Sequence, residues 1–457
     1  MRRHWTCGDA HIRRETDLED RSQNERRERT DILSIVGGST GNLVEWYDFY
    51  TYATLTVYFA PSFFPSVDPT TELLSAAAVF AVGFLMRPLG AWMMGIYADR
   101  HGRKAGLALS LGLMCAGSLL IAVAPTYKQA GLLAPAILIF ARIIQGLSVG
   151  GEYGASATYL SEMSTAQHRG FWSSFQYVTL IGGQLCALCA TLALQALFSE
   201  WDIEQWAWRL PFFVGAGLAL LVYLLRRRLA ETRSFAAQTS DRPASSFANL
   251  WRDHPKEFWL IIVITAGGSL FFYSTTTYMQ KFLINTSGFS REVATQIMTL
   301  ALVIYMLAQP LFGHLSDRFG RKPLLLLFGV GGTLSTIPAF QGIASTTSPI
   351  VAGAIVIGML LLLSAYTSIS GLIKAELFPP HIRSLGVALP YAIGNSLFGG
   401  TAEYAALTFR SAGVEEGFYF YVAAVLACTL IAFLILPETR RHGLMAQART
   451  DAEDVPR

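Results

Sequence analysis

The sequence carries little charge for its length. Only 15% of its 457 residues are Asp, Glu, Lys or Arg, whereas 52% are hydrophobic. A soluble domain usually carries about 25% charged residues, so the chain lacks the charge that a water-exposed surface needs. The charges gather in short clusters between apolar stretches of roughly 20 residues or more, the length at which a helix crosses a bilayer. This distribution excludes a soluble enzyme and a disordered chain.

Cysteine is also scarce. Of the five cysteines, Cys7 lies in the polar N-terminal segment and the other four lie in apolar stretches. Cys186 and Cys189 have no histidine or second cysteine pair nearby, so no metal site is indicated. We expect reduced thiols inside the protein core, and a secreted disulfide scaffold is excluded.

Motifs for other chemistries are missing from the sequence. It contains no P-loop, HExxH or GxSxG pattern, which excludes an ATP-driven pump in a single chain and leaves a membrane-embedded enzyme as a remote alternative. The net charge of +3 implies no nucleic-acid partner. No cofactor and no metal are expected.

Twelve apolar segments follow one another along the chain. Only helices suit segments of this length, because lipid offers the backbone no hydrogen-bonding partner. We therefore predict an all-α integral membrane protein with 12 transmembrane helices in two pseudo-symmetric six-helix bundles. The segments are 32–58, 73–97, 105–125, 132–160, 171–198, 206–225, 258–282, 293–313, 323–343, 350–373, 385–409 and 417–436.

The positive charges predict the topology. Most of the 35 Lys and Arg residues lie in the tails and in the even-numbered loops, which predicts that both termini lie in the cytoplasm. The expected location is a bacterial inner (plasma) membrane. The Arg-rich and acid-rich N-terminal segment has no apolar stretch and does not read as a signal peptide. The predicted units are an N-terminal tail 1–31, bundles 32–225 and 258–436, a cytoplasmic linker 226–257 and a C-terminal tail 437–457.

One loop pattern occurs twice. Residues 95–104 read GIYADRHGRK after the second span, and residues 313–322 read GHLSDRFGRK after the eighth. A single copy is best interpreted as a positively charged cytoplasmic turn, but two copies at matching positions indicate duplicated halves. The candidate conformational residues are Gly95, Asp99, Arg100, Gly102 and Arg103 in the first copy and Gly313, Asp317, Arg318, Gly320 and Arg321 in the second.

The repeated motif in a twelve-helix chain resembles the major facilitator superfamily. Residues 39–50 (STGNLVEWYDFY), 83–90 (GFLMRPLG) and 142–154 (RIIQGLSVGGEYG) are similar to its metabolite:proton symporter family. The resemblance implies a symporter that imports a dicarboxylate, with 2-oxoglutarate expected, together with protons by alternating access. Citrate, shikimate, or a zwitterionic osmolyte such as proline or betaine remain alternative substrates, and a non-transporting sensor is a remote alternative.

Charged groups within the spans are the candidates for proton coupling, since such groups are costly in lipid. Glu45 and Asp48 share one face of the first span. A buried carboxyl group can bind and release a proton as access to water changes. Arg142 and Glu152 lie on a polar stripe of the fourth span, which resembles a superfamily motif implicated in proton transfer. The alternative is a static pair in which Arg142 holds a carboxylate between the first and fourth helices.

Arg87 is the first candidate for substrate binding. It lies near the middle of the second span, and a guanidinium binds a carboxylate with two parallel hydrogen bonds. Pro88 is expected to kink the helix there. The alternative is an ion pair of Arg87 with Glu45 or Asp48. Further candidate substrate contacts are Arg209, Tyr273, Gln184, Lys374 and Asn395.

Two of these candidates have a plainer interpretation. Arg209 opens the sixth span and suits an anchor at the membrane interface. Lys374 lies toward the inner end of the tenth span, where snorkelling to the surface is the expected role.

The deep carboxylates outnumber the deep arginines, so charge alone also permits a cationic or zwitterionic substrate. The expected partners are a small organic acid, protons and the lipid bilayer, and the protein is expected to be monomeric.

Overall fold

The structure is a computed structural model that describes residues 42–66, 68–101, 103–150, 152–163, 167–227, 247–379 and 382–442. Within these ranges the regular elements are helical, which confirms the all-α prediction. Eight of these helices are long and apolar enough to cross a membrane by length and composition. The helices of the first half are α1 (42–63), α2 (Pro69–Leu85 and Arg87–His101), α3 (Arg103–Val123), α4 (Leu133–Val149 and Glu152–Met163), α5 (Arg169–Leu197) and α6 (Leu210–Arg227).

The second half repeats this succession. Its helices are α7 (Pro255–Tyr273, Ser274–Tyr278 and Met279–Asn285), α8 (Arg291–Phe319), α9 (Arg321–Ser345), α10 (Pro349–Thr367 and Ser370–Glu376), α11 (Arg383–Gly394, Asn395–Gly399 and Ala402–Ser411) and α12 (Glu416–Ile435). Short helices Tyr127–Ala130, Glu200–Gln205, Ala207–Arg209, Phe247–Asp253 and Thr439–His442 lie between or after these spans.

The two halves meet through a central set of helices. The pairs that join them are α5 with α8, α2 with α11, and α4 with α10 and α11. Within the halves, α3 packs on α6 and α9 packs on α12. Helices α3, α6, α9 and α12 therefore lie away from the main contacts that join the halves.

Two glycines bring α2 and α4 into backbone contact. A Cβ atom at Gly146 would overlap the main-chain carbonyl of Gly83, and one at Gly150 would overlap the carbonyl of Arg87. Small residues at such crossings let membrane helices approach closely. The glycines thereby hold the backbone of Arg87 directly against α4.

Helix α2 is interrupted before Pro88, as expected. Its first segment ends at Leu85 and its second begins at Arg87. Proline has no N–H group, so the carbonyl four residues earlier, at Phe84, loses its helical donor. Ser396 of α11 donates its hydroxyl to this oxygen at 2.5 Å. A kink in the first half is therefore completed by a hydrogen bond from the second half.

The cysteines do not lie in the core, contrary to expectation. They are free thiols in the part of the chain that the structure describes, with Cys186, Cys189 and Cys428 exposed on the outer faces of their helices and Cys115 half-buried. An apolar helix faces either protein or lipid, and both surroundings accept a thiol. Apolar sequence alone therefore could not distinguish the two faces.

The hydroxyl of Ser396 should stabilise the contact between the two halves. We predict that Ser396→Ala lowers stability by about 1–3 kcal/mol, because the buried Phe84 carbonyl loses its donor. The matched control is Ser411→Ala in the same helix, where the exposed hydroxyl bonds within α11 and loss should cost under about 0.5 kcal/mol. Melting of the purified protein in detergent measures both, and equal melting temperatures would contradict the prediction.

Candidate functional site

A buried hydrogen-bonded chain links Asp48 of α1 to Arg142 of α4, two of the four predicted proton-coupling residues. Arg142 donates from Nη1 to Gln145 Oε1 at 2.7 Å, and Gln145 Nε2 donates to Asp48 Oδ2 at 2.6 Å and to Ser118 Oγ at 3.2 Å. Asp48 and Arg142 are both fully buried. The structure thus brings the predicted pair together, but through Gln145 rather than by direct contact. Asp48 Oδ1 and Arg142 Nε and Nη2 have no hydrogen-bond partner in the structure.

Glu45 lies one turn before Asp48, in a different environment. The Ser110 hydroxyl of α3 lies 3.4 Å from the Glu45 carboxylate and 2.9 Å from the carbonyl of Ser148 in α4, and it has one hydrogen to donate to either. Glu45 is buried. It therefore lies where α1, α3 and α4 meet and is separate from the Gln145 chain.

Arg87 lies in an aromatic box. The guanidinium carbon is 3.9 Å from the ring centroid of Phe84, 4.4 Å from that of Phe49 and 5.2 Å from that of Trp46. Arg87 is only 3% exposed, and its Nε and Nη2 atoms have no hydrogen-bond partner. Among the described side chains no ion pair with Glu45 or Asp48 forms, so the alternative role considered for Arg87 is not what the structure has. The arginine is held by aromatic faces, and two of its donor atoms are unused.

The ring of Phe49 lies between Arg87 and Arg142. Its ring centroid is 4.4 Å from the guanidinium carbon of Arg87 and 4.4 Å from that of Arg142. The two arginines therefore interact electrostatically across one aromatic side chain in a site that excludes water. In such surroundings charges are felt more strongly than in water. A change of charge at Asp48 consequently reaches Arg87.

Neutral donors from the second half face Arg87. The Tyr273 hydroxyl of α7 lies beside the side chains of Arg87, Asn395 and Tyr50. The amide nitrogen and oxygen of Asn395 are both buried without a partner. Tyr273 and Asn395 border π-helical turns, Ser274–Tyr278 and Asn395–Gly399, and such turns occur frequently at functional sites. The sequence predicted these two residues and gave no sign of Tyr50 or of the π turns.

Lys374 does not snorkel. It is 1% exposed, and its Nζ donates to Ser370 Oγ at 2.7 Å and to the Tyr153 hydroxyl at 3.3 Å. The expectation failed because α4 and α11 cover this end of α10 with the rings of Tyr153 and Tyr391, and such cover depends on tertiary packing. Lys374 thus belongs to the buried interface between the halves.

Lys281 and Glu403 form a buried ion pair that the sequence did not predict. Lys281 Nζ of α7 lies 2.6 Å from Glu403 Oε1 of α11, and both side chains are almost fully buried. The sequence places Lys281 at the border of its span and Glu403 deep in its own. Their pairing depends on how α7 packs on α11, which no local pattern reveals.

The remaining two substrate candidates lie elsewhere. Arg209 is half-buried and donates to the main-chain carbonyls of Ala124 and Gln205, and it stacks on Trp208. This is the position of an interface anchor, away from Arg87. Gln184 of α5 donates to the carbonyl of Thr276 in the π turn of α7 at 3.0 Å. It therefore joins the two halves beside the site.

The second copy of the loop motif holds the halves together. Asp317 accepts from the backbone N–H groups of Gly170 at 2.7 Å and Phe171 at 2.9 Å, at the start of α5. Arg321 pairs with Asp317 at 3.1 Å and with Glu376 at 3.4 Å. Gly313 packs on Gly170, Gly320 has a φ of 99° and Arg318 contacts the ring of Phe319. The side chains of Asp99, Arg100, Arg103 and Glu152, and also Gly102, lie outside the described part of the chain, and Gly95 lies in the helix Arg87–His101.

Comparison with known proteins gives a family match and close relatives. A family model described as sugar (and other) transporter matches residues 34–246 and 226–450. The chain is 49% identical over 415 residues to the alpha-ketoglutarate permease of Escherichia coli (strain K12), covering 91% of this chain and 95% of that protein. It is 30% identical over 428 residues to the citrate-proton symporter of Salmonella typhi, covering 90% and 95%.

A further relative and one solved structure complete the comparison. The chain is 31% identical over 427 residues to the glycine betaine/proline/ectoine/pipecolic acid transporter OusA of Dickeya dadantii (strain 3937), covering 90% of this chain and 84% of that one. The structure of the MFS (major facilitator superfamily) proton:xylose symporter XylE bound to 6-bromo-6-deoxy-D-glucose superposes with a TM-score of 0.72 at 20% identity. The match covers 92% of this chain and 99% of that one and confirms the predicted twelve-helix fold.

The Lys281–Glu403 pair should be structural. We predict that Lys281→Met costs about 3–5 kcal/mol of stability, because it leaves Glu403 charged and buried without its partner. The double variant Lys281→Met/Glu403→Gln should recover most of this loss. Melting in detergent tests this, with Lys256→Met at an exposed position of α7 as the control. A single variant as stable as wild type would contradict the role.

Proposed function

Because this chain belongs to the sugar (and other) transporter family of the major facilitator superfamily, we propose that it imports a dicarboxylate, with 2-oxoglutarate as the first candidate, together with protons. The proposal takes its substrate from the 49% identical alpha-ketoglutarate permease. The relatives of this chain are transporters rather than enzymes, which supports transport without catalysis here. The proposal places the protein in a bacterial inner membrane as a monomer with both termini in the cytoplasm.

One observation carries the assignment to an anion. Arg87 is buried between the halves, and its Nε and Nη2 donors have no partner. A buried guanidinium with free donors is costly unless something pairs with it. A substrate carboxylate supplies the missing charge and accepts two parallel hydrogen bonds. Tyr273 lies beside Arg87 and Asn395 lies beside Tyr273, and both offer further donors to the same ligand.

The charges around the site favour an anion over a zwitterion. Asp48 is bridged to Arg142 by Gln145, and Glu403 is paired with Lys281. Two of the deep carboxylates are therefore compensated locally. The uncompensated charge beside the aromatic box is positive. This favours citrate or 2-oxoglutarate over the betaines that the other relatives carry.

The same geometry supports proton coupling. Protonation of Asp48 removes a negative charge that offsets Arg142. The positive potential at Arg87, which shares Phe49 with Arg142, then rises and a dianion binds more tightly. Coupling of this kind is reciprocal, so a bound dianion also strengthens proton binding. Proton and substrate therefore bind together, as symport requires.

Neutralising the proton site should uncouple transport. We predict that Asp48→Asn abolishes proton-driven accumulation and leaves some substrate exchange, because the amide imitates the protonated acid permanently. Uptake by proteoliposomes with and without a pH gradient distinguishes the two activities. Asp68→Asn, at the exposed cap of α2, is the control and should accumulate normally. If Asp48→Asn still accumulates substrate against its gradient, the proton site lies elsewhere, with Glu45 or Glu152 next to be tested.

The shape of the guanidinium should matter as well as its charge. We predict that Arg87→Lys weakens binding of 2-oxoglutarate by roughly 10- to 150-fold, because one charge-assisted contact contributes about 1.5–3 kcal/mol. Arg87→Ala should be weaker still, with protein levels near normal. A purely structural Arg87 would instead lower the amount of folded protein and leave the affinity of the remainder unchanged.

Competition separates the two substrate classes. Succinate, glutarate and citrate should compete with 2-oxoglutarate, and betaine and proline should not. The opposite pattern would contradict both the dicarboxylate assignment and the role of Arg87.

A further inference from the structure

Lys374 is the second buried cation of the interface that lacks a carboxylate partner among the described side chains. We infer that it binds the second carboxylate of a dianion whose first carboxylate is bound by Arg87. The inference rests on the proposed dicarboxylate transport and goes beyond it, because it makes Lys374 the group that selects dicarboxylates over monocarboxylates.

The charge balance of the described core singles out Lys374. Lys281 is neutralised by Glu403, and Arg142 is linked to Asp48 through Gln145. The hydrogen-bond partners of Lys374 Nζ are the neutral oxygens of Ser370 and Tyr153. An ammonium group that is buried without an anion is destabilising. A ligand carboxylate would remove that cost.

Aromatic rings surround the ammonium group and compensate for part of the missing charge. Nζ lies 4.5 Å from the ring centroid of Tyr391, 5.4 Å from that of Tyr153 and 5.8 Å from that of Tyr366. Faces of aromatic rings attract cations, but more weakly than a carboxylate does. These rings hold the lysine in place and leave it able to bind an anion.

Tyr391 connects the two cations. Its ring stacks on Tyr153 with centroids 3.4 Å apart and contacts Lys374, and it also interacts electrostatically with Arg87. Arg87 belongs to α2 in the first half and Lys374 to α10 in the second. A short dicarboxylate placed along Tyr391 would therefore neutralise one cation from each half. A monocarboxylate would leave one of them unpaired.

The matched ligands are 2-oxoglutarate and 2-oxovalerate, which have the same carbon chain and differ only in the second carboxylate. Wild-type protein purified in detergent should bind 2-oxoglutarate at least roughly 10-fold more tightly. Lys374→Met should weaken 2-oxoglutarate to about the affinity of 2-oxovalerate, and the affinity for 2-oxovalerate should stay unchanged. Lys374→Arg, which keeps the charge, should retain a preference for the dicarboxylate.

Stability without ligand supplies an independent readout. Lys374→Met should melt at or above the wild-type temperature, because it removes an uncompensated buried charge. Lys281→Met is the matched control, since it makes the same change at a buried lysine that has its carboxylate, and it should melt lower. A Lys374→Met protein that is much less stable than wild type would overturn the inference.

The two hypotheses fail in different ways. If wild-type protein binds and transports no dicarboxylate, the proposed function is wrong. If wild-type protein prefers 2-oxoglutarate and Lys374→Met keeps the same preference, or loses both ligands equally, the function stands and the role of Lys374 is wrong.

Discussion

A polar group inside a bilayer must find its partner within the protein or in a ligand, because the hydrocarbon offers none. Most of this interior obeys that constraint. The carbonyl that Pro88 releases in α2 receives the hydroxyl of Ser396, and Lys281 meets Glu403. Among the described buried cations, Arg87 and Lys374 are surrounded by aromatic rings and have neither a carboxylate partner nor a hydrogen-bonded link to one. We interpret these two unpaired cations as the groups that bind the carboxylates of the substrate.

The same constraint explains how binding is tied to movement. The groups around Arg87 come from both halves, with Phe49 and Phe84 from the first and Tyr273 and Asn395 from the second. A ligand held there would contact both halves at once. The ring of Phe49 also contacts Arg142, which Gln145 links to Asp48. A change in the charge of Asp48 therefore alters the electrostatic potential at the ligand. Proton, substrate and closure are thus linked through a few contacts.

The sequence predicted what depends on local rules. Hydrophobic length located the spans because lipid thickness fixes the length of a helix, and the kink near Pro88 followed from its missing N–H. Helical spacing placed Arg142 and Gln145 on one face, but it did not show that Gln145 lies between Arg142 and Asp48. Which side chain covers which is decided by tertiary packing, so the burial of Lys374 was predicted wrongly.

Side-chain pairs between helices that are distant in the sequence could not be predicted from it either. Lys281 and Glu403 meet across α7 and α11, and Ser396 reaches Phe84 from the opposite half. The π turns that bring Tyr273 and Asn395 to the site have no local signature either. The resemblance to a symporter family indicated the chemistry, and our proposal assigns it to the residues that the geometry brings together.

The central claim is that a dianion and a proton cross together. Uptake of labelled 2-oxoglutarate by proteoliposomes, with an inside-alkaline pH gradient imposed and then collapsed, tests it most directly. The account predicts accumulation above the external concentration while the gradient lasts and efflux to equilibrium once it is removed. Uptake that reaches the same level with and without the gradient would contradict it.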